Sequence, residues 1–360
     1  STHHRLPLRA LNPNTVQSLS HASSVSKPHF QPSTCTTASS HFVHHPKQVG
    51  KNSTSTMSIH ENATHSFIPT EPLAASSSPD IESLYIKQKA NNETIYVKSF
   101  SREIIHMFFE RELTHPCDPG YMDSQPLTHE MRSILTDWLL SVHFTFRLLP
   151  ETFYLAVNLL DRFCSKERIT KDRYQLLGTG CLLVAAKYEE LFPPRIERFV
   201  RVGAGAFTKK HLLEMEKVIL SVLDYYLTVV TPFQFLKRFL MCACADENTQ
   251  FLACYFAEIC SVHYEMVKYK ASDVAAACVH MAHLFAMKHL VWDDRMMHYS
   301  RKREAEFRPV SEELFYLLTK EQNTKFDAAK RKYERKESRN AVAELVSQRL
   351  RAVGNKLTLL

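Results

Sequence analysis

The segment KDRYQLLGTGCLLVAAKYEEL, at 171–191, carries apolar residues on nearly every face of a 3.6-residue period. A helix that is apolar all round must be buried on every side. It therefore needs a jacket of other helices, and the chain supplies them on both flanks. About a hundred residues later the pattern returns in SDVAAACVHMAHLFAMKHL, at 272–290, alanine-rich and again third among about five helical segments. A period this long exceeds that of tetratricopeptide or HEAT repeats. It predicts two helical bundles in tandem, an all-α fold. Glycine is scarce, 7 residues in 360, which argues against a turn-rich sheet fold.

The segments around the two central helices read consistently. HEMRSILTDWLLSVHFTFRL bears Met131, Ile134, Leu135, Trp138, Leu139, Val142 and Phe146 at i, i+3, i+4, i+7 spacing, the stripe of an amphipathic helix. Thr128 is placed to cap it, and Glu130 suits its first turn. ETFYLAVNLLDRFCSK follows Pro150, IERFVRV follows Pro193–Pro194, and Thr208 caps KKHLLEMEKVILSVLDY. The second set opens at Thr231–Pro232 with FQFLKRFLMCACA and continues with QFLACYFAEICSVHYEM. Ser272 is the expected cap of its central helix, and SEELFYLLTKEQ and TKFDAAKRKYERKE close it. One short helix, in YVKSFSREIIHMFFEREL, precedes both sets.

Residues 1–90 are rich in Ser, Thr, His, Pro and Asn and poor in large apolar side chains. Such a segment cannot bury enough surface to offset its chain entropy, so a disordered regulatory tail is expected there. The first bundle with its preceding helix is then 91–229, the second 230–343, and 344–360 a tail. Nine of the 19 histidines lie in the first tail, but without the Cys/His spacing of a zinc site; neither metal nor cofactor is expected. Nine cysteines sit mostly in apolar helical runs, among them Cys181, Cys254, Cys260 and Cys278, as reduced small hydrophobes would. No apolar run reaches the length of a membrane span. The net charge of +7 permits an acidic partner without indicating nucleic acid.

Four charges lie on faces that the period assigns to the core: Arg132, Asp161, Lys187 and Glu216. An isolated buried charge is costly, so pairing is expected. One reading gives two internal salt bridges, Arg132–Asp161 and Lys187–Glu216. The other makes Lys187 and Glu216 an exposed polar centre in an apolar surface. The pattern alone favours the first, while the end of the first central helix, AAKYEELFPP, keeps the second open, because Pro193–Pro194 stop the helix without help from charges.

Four segments in order, MRSILTDWL, LLPETFYLAVNLLDRF, LLVAAKYEELFPP and FTKKHLLEMEKVIL, resemble the cyclin box. From about Tyr96 to Ala343 the chain resembles a mitotic B-type cyclin; YMDSQPLTHEMR before the box and FDAAKRKYERKESRNAVA at the end carry the same likeness. The resemblance implies two tandem five-helix cyclin-box domains and no catalytic residues. It implies a regulatory subunit that binds and activates a cyclin-dependent protein kinase, helps to select substrates and controls G2/M progression, in nucleus and cytoplasm. By resemblance, Lys187, Tyr188, Glu189, Glu190, Leu191 and Glu216 bind the kinase, and Arg132 with Asp161 form a structural ion pair. Met131, Ile134, Leu135, Trp138 and Gln175 match an exposed patch that docks substrates or inhibitors carrying basic-leucine motifs. The chain departs from the family at Ser141, where an acidic or amide residue is common, and at Arg195, where Glu is usual. RLPLRALNPN, at 5–14, resembles a destruction box read by a ubiquitin ligase, with Arg5, Leu8 and Asn12 (or Asn14) as its determinants.

Two other classes compete. DDRMM, at 293–297, has the beginning of an acidic metal motif of helical enzymes, but lacks its third acid. The basic run Lys330, Arg331, Lys332, Arg335, Lys336 and Arg339 permits a cyclin-fold transcription factor on nucleic acid, but a solvated helix face is the simpler explanation, and such a factor would not need AAKYEEL with Glu216. A cyclin of another class is the remaining alternative.

Overall fold

The computed structural model describes residues 101–286, 292–321, 326–333 and 341–353. The N-terminal tail, with Arg5, Leu8 and Asn12, lies outside them. Among the described residues there are thirteen α-helices and no strand, so the all-α fold is realised. Helix α1 is Ser101–Arg111; α2 His129–Phe146, α3 Pro150–Lys166, α4 Lys171–Glu189, α5 Ile196–Val202 and α6 Lys209–Val222 make the first five-helix set. The second set comprises α7 Pro232–Cys242, α8 Glu247–Val262, α9 Ala271–Phe285, α10 Asp294–Ser300, α11 Glu304–Glu321, α12 Ala328–Tyr333 and α13 Ala341–Val353.

Helix α4 is the axis of the first set. Its side chains are buried without a break from Leu176 to Ala186, and it packs on α2, α3 and α6. Two of the chain's few glycines make this possible. A Cβ at Gly178 would lie 2.9 Å from Leu135 Cδ2, and one at Gly180 would lie 2.8 Å from Ile219 Cδ1. Both distances are below contact, so α2 and α6 approach α4 as closely as they do only because these positions lack side chains. Helix α9 plays the same part in the second set, packed on α7, α8 and α11 with Ala275, Ala276 and Ala277 fully buried.

The expected caps are mostly present. Thr128 Oγ1 accepts from Met131 N at 3.2 Å, Thr208 forms a capping box with His211, and Thr231 forms one with Gln234. Ser272 is a correction. It lies inside α9, and Glu112 caps the helix instead, accepting from the Ser272 N–H at 3.0 Å and from its hydroxyl at 2.9 Å. Helix α1 therefore packs on the second set, although it precedes the first in sequence. Its Phe109 ring lies 4.9 Å from that of Phe235. The tail expected from 344 is a second correction: α13 runs through Ala341–Val353, because Val342, Val346 and Leu350 bury one stripe.

Candidate functional site

Helix α4 is buried up to Ala186 and emerges at Lys187. Glu190 ends it, its N–H bonded to the Ala186 carbonyl at 3.0 Å, and Pro193–Pro194 prevent its resumption. Lys187 Nζ donates to both Glu216 oxygens, at 2.6 and 2.8 Å. The lysine side chain is 46% exposed and the glutamate 14%. This is the exposed polar centre of the two readings. Tyr188 reaches Thr228, with the two hydroxyls 2.5 Å apart, which ties the end of α4 to the segment after α6.

Apolar side chains in the segments that follow α4 and α6, the two helices of the pair, remain in solvent. Leu191 is 84% exposed, Phe192 87% and Tyr225 71%. Large apolar residues left bare together mark an interaction surface. Phe192 was readable in the sequence, as an aromatic held on a stretch that two prolines keep from packing as helix. Tyr225 was less plain: it projects from two successive left-handed residues, Asp224 and Tyr225, at φ 52° and 57°, and only Asp224 is a residue that favours such a turn.

The two acids differ from one another. Glu190 Oε1 accepts from the Leu149 N–H at 2.7 Å and from the Thr152 hydroxyl at 2.6 Å, so it caps α3. That helix begins with Pro150, and its N-cap residue, Leu149, has no side-chain acceptor; an acid from the end of α4 fills the gap. The half-buried Glu190 carboxylate thus has a structural partner in α3 in addition to its place in the stretch assigned to the binding surface. Glu189 is half-buried. Burial first, and then the neighbouring Glu151 and Glu190, raise its pKa above the usual carboxylate value.

Arg132 and Asp161 form the other pair. Nε and Nη2 donate to the two carboxylate oxygens at 2.8 Å each, and both residues are buried. The Tyr121 hydroxyl adds a third donor to Asp161, at 2.9 Å. Arg132 Nη1 donates to the carbonyls of Ser261 and Val262, at 3.2 and 3.0 Å. One first-domain arginine therefore also satisfies the C-terminal end of α8 in the second domain.

Along α2, Met131 and Ile134 are half-buried, as is Gln175 on α4. Leu135 is fully buried against Gly178, and Trp138 nearly so. These two form core beneath the patch, and both are corrections to its exposed surface. Helix α12 flanks the same face. Asp137 Oδ1 accepts from the Ala328 N–H at 3.0 Å. Arg331 pairs with Asp327 at 2.8 Å and donates to Ser141 Oγ at 3.3 Å. The side chain of Lys332 is largely buried, paired with Glu258. So neither a solvated face nor a free basic patch describes Arg331 and Lys332. Asp293 of the DDRMM segment is the N-cap of α10, accepting from Met296 N at 2.8 Å. Among the described residues no cluster of three His, Cys, Asp or Glu could hold a metal ion, and no helix is long and apolar enough to cross a membrane.

Comparison with known proteins identifies the two helical sets. Residues 103–228 match the family model of the cyclin N-terminal domain, and residues 230–348 that of the cyclin C-terminal domain. Cyclin-B1-1 of Arabidopsis thaliana is 38% identical over 67% of this chain and 58% of its own length. G2/mitotic-specific cyclin-B of Dictyostelium discoideum is 35% identical over 66% and 55%, and G2/mitotic-specific cyclin-B2 of Oryzias latipes 37% over 66% and 61%. The chain thus spans somewhat more than half the length of these relatives. A viral cyclin from herpesvirus saimiri has the same fold, with a TM-score of 0.54 over 59% of this chain and 97% of its own, at 20% identity. With both cyclin domains matched in order, this chain belongs to the cyclin family, among its mitotic B-type members.

Proposed function

We propose that the surface centred on Lys187 and Glu216 binds the mobile catalytic helix of a cyclin-dependent protein kinase, and that the chain activates that kinase at the G2/M transition. The observation that supports this reading is a bidentate ion pair whose lysine is half in solvent, with bare Leu191, Phe192 and Tyr225 in the segments that follow its two helices. An exposed ion pair contributes only about 0–1 kcal/mol to stability, so folding alone gives little reason to keep two charges there. A kinase needs its strand lysine paired with a glutamate of the mobile helix. A partner that binds only the inward position of that helix shifts the population toward the active state. Moving such an equilibrium from 1:99 to 99:1 takes about 5.5 kcal/mol of differential binding, within reach of a partly apolar interface of roughly 2,000 Å² or more. The G2/M assignment rests on the names of the B-type relatives.

Lys187→Ala and Glu216→Ala test the proposal. Each should leave helical content unchanged. Each should weaken kinase binding by about 2–5 kcal/mol, because its partner charge is then desolvated alone. The readout is co-purification with kinase catalytic subunits and their activity. Unchanged kinase activity with both variants would overturn the proposal.

A further inference from the structure

We infer that the face formed by α5 and the outer side of α6 receives an acidic segment of the protein bound at the neighbouring Lys187–Leu191 surface, and that it speeds association with that protein. The inference rests on the proposed binding surface and extends it along the molecule. Between Arg195 and Lys217 the bases are Arg195, Arg198, Arg201, Lys209, Lys210 and Lys217; the acids are Glu197, Glu214 and Glu216. All six bases are exposed. Each acid already has a cation. Glu197 takes Lys209 at 2.8 Å, Glu214 takes Lys210 at 3.9 Å, and Glu216 takes Lys187, from outside the segment. Four cations are left over: Arg195, Arg198, Arg201 and Lys217.

Their placement is specific. Arg195, Arg198 and Arg201 recur every third residue along α5, whose Phe199 and Val202 are buried. Arg198 is held over the Phe146 ring, 4.4 Å from its centroid. The Lys209–Glu197 bridge joins α6 to α5. Arg195 stands four residues after Leu191, and Lys217 directly follows Glu216 in the sequence. A stretch that is bare and apolar at Leu191 and Phe192 and cationic from Arg195 onward is complementary to a ligand with an apolar contact followed by carboxylates or phosphates. Uncompensated surface charge of one sign raises association rates and adds salt dependence more than it lengthens lifetimes.

The test uses the full chain with Arg195→Glu, Arg201→Glu and Lys217→Glu combined, leaving Arg198 on its aromatic ring. Binding is followed by stopped flow against the kinase catalytic subunit that co-purifies with wild type, between 50 and 500 mM salt. The expected result at low salt is an association rate about 10-fold lower, with a dissociation rate within 2-fold of wild type and most of the salt dependence gone. The corresponding triple Gln variant should fall between the two, and equal thermal midpoints exclude misfolding. Lys187→Ala is the separate control: it should act on dissociation, and its failure would count against the binding surface itself. An unchanged association rate and salt slope in the triple Glu variant, with Lys187→Ala impaired, would overturn the inference alone. So would loss of binding to a 20-base-pair DNA duplex with kinase association unaltered, which would assign the face to nucleic acid.

Discussion

Lys187–Glu216 and Arg132–Asp161 are both bidentate pairs, yet they do different work. The first is half in solvent and stabilises little. The second is buried, and losing either member strands a charge. Their pairing was legible because a charge on an apolar face needs a partner; the role of Glu190 was not, since an acid at a helix end reads the same whether it faces out or in. Another residue sets a pH limit. His143 is buried on α2, its Nε2 2.9 Å from the Leu149 carbonyl, while Nδ1 has no hydrogen-bond partner. Burial, and then Lys332, depress its pKa to about 3. The unfolded chain protonates this imidazole near pH 6.5 and the folded chain does not. Its contribution to stability is therefore fully present above pH 6.5 and is lost as pH falls toward 3, by up to about 1.4 kcal/mol per pH unit. His280, depressed mainly by burial, acts in the same sense. We expect His143→Gln to flatten the fall in thermal midpoint between pH 6.5 and 4.5, even if it lowers the midpoint at pH 7.5. Parallel melting curves for variant and wild type across that range would contradict the assignment.

At the scale of the element, the central helix α4 was the most legible part of the chain, because an all-round apolar period leaves only the interior. What the period did not reveal is why two glycines are spent there. Gly178→Ala would gain about 0.5–1 kcal/mol of helix propensity. It would also drive a methyl group to 2.9 Å from a leucine that is fully buried and cannot swing into solvent. Overpacking of this kind costs roughly 1–3 kcal/mol, so a net loss of stability is expected, read as a lower urea midpoint with the slope unchanged. A gain would mean that α2 can move away from α4. Helix α9 shows the opposite limit of sequence reading. Its Ser272 looked like a cap, but the acceptor comes from Glu112, 160 residues earlier. Local signals cannot foresee a cap delivered by tertiary packing.

The joint between the two domains belongs to the whole molecule, and nothing in the spacing of residues announced it. Arg132 was legible as one half of an ion pair; its grip on the Ser261 and Val262 carbonyls was not, since they are 129 and 130 positions away. The Tyr264 hydroxyl crosses the same joint, donating to the Pro119 carbonyl at 2.6 Å and accepting from Met122 N at 3.1 Å. If Arg132 is oriented by Asp161 and in turn orients α8, then damage to the pair should be felt in both domains. Asp161→Asn keeps the shape but leaves a buried guanidinium without its counter-charge. The expected cost is about 3–5 kcal/mol, roughly a 10 °C loss in thermal midpoint for a folded part of this size. Hydrogen exchange should rise at the last turn of α8 as well as in α2 and α3. Arg132→Met with Asp161→Leu replaces the pair by apolar groups and should recover part of the midpoint, because no charge remains buried. It should not restore protection at the end of α8, where two carbonyls have lost their donor. A double variant that protects α8 as well as wild type would show that the remaining contacts across the joint, the tyrosine bridge among them, are enough to order that end. A midpoint for Asp161→Asn within 2 °C of wild type would show that the pair is not the joint's anchor.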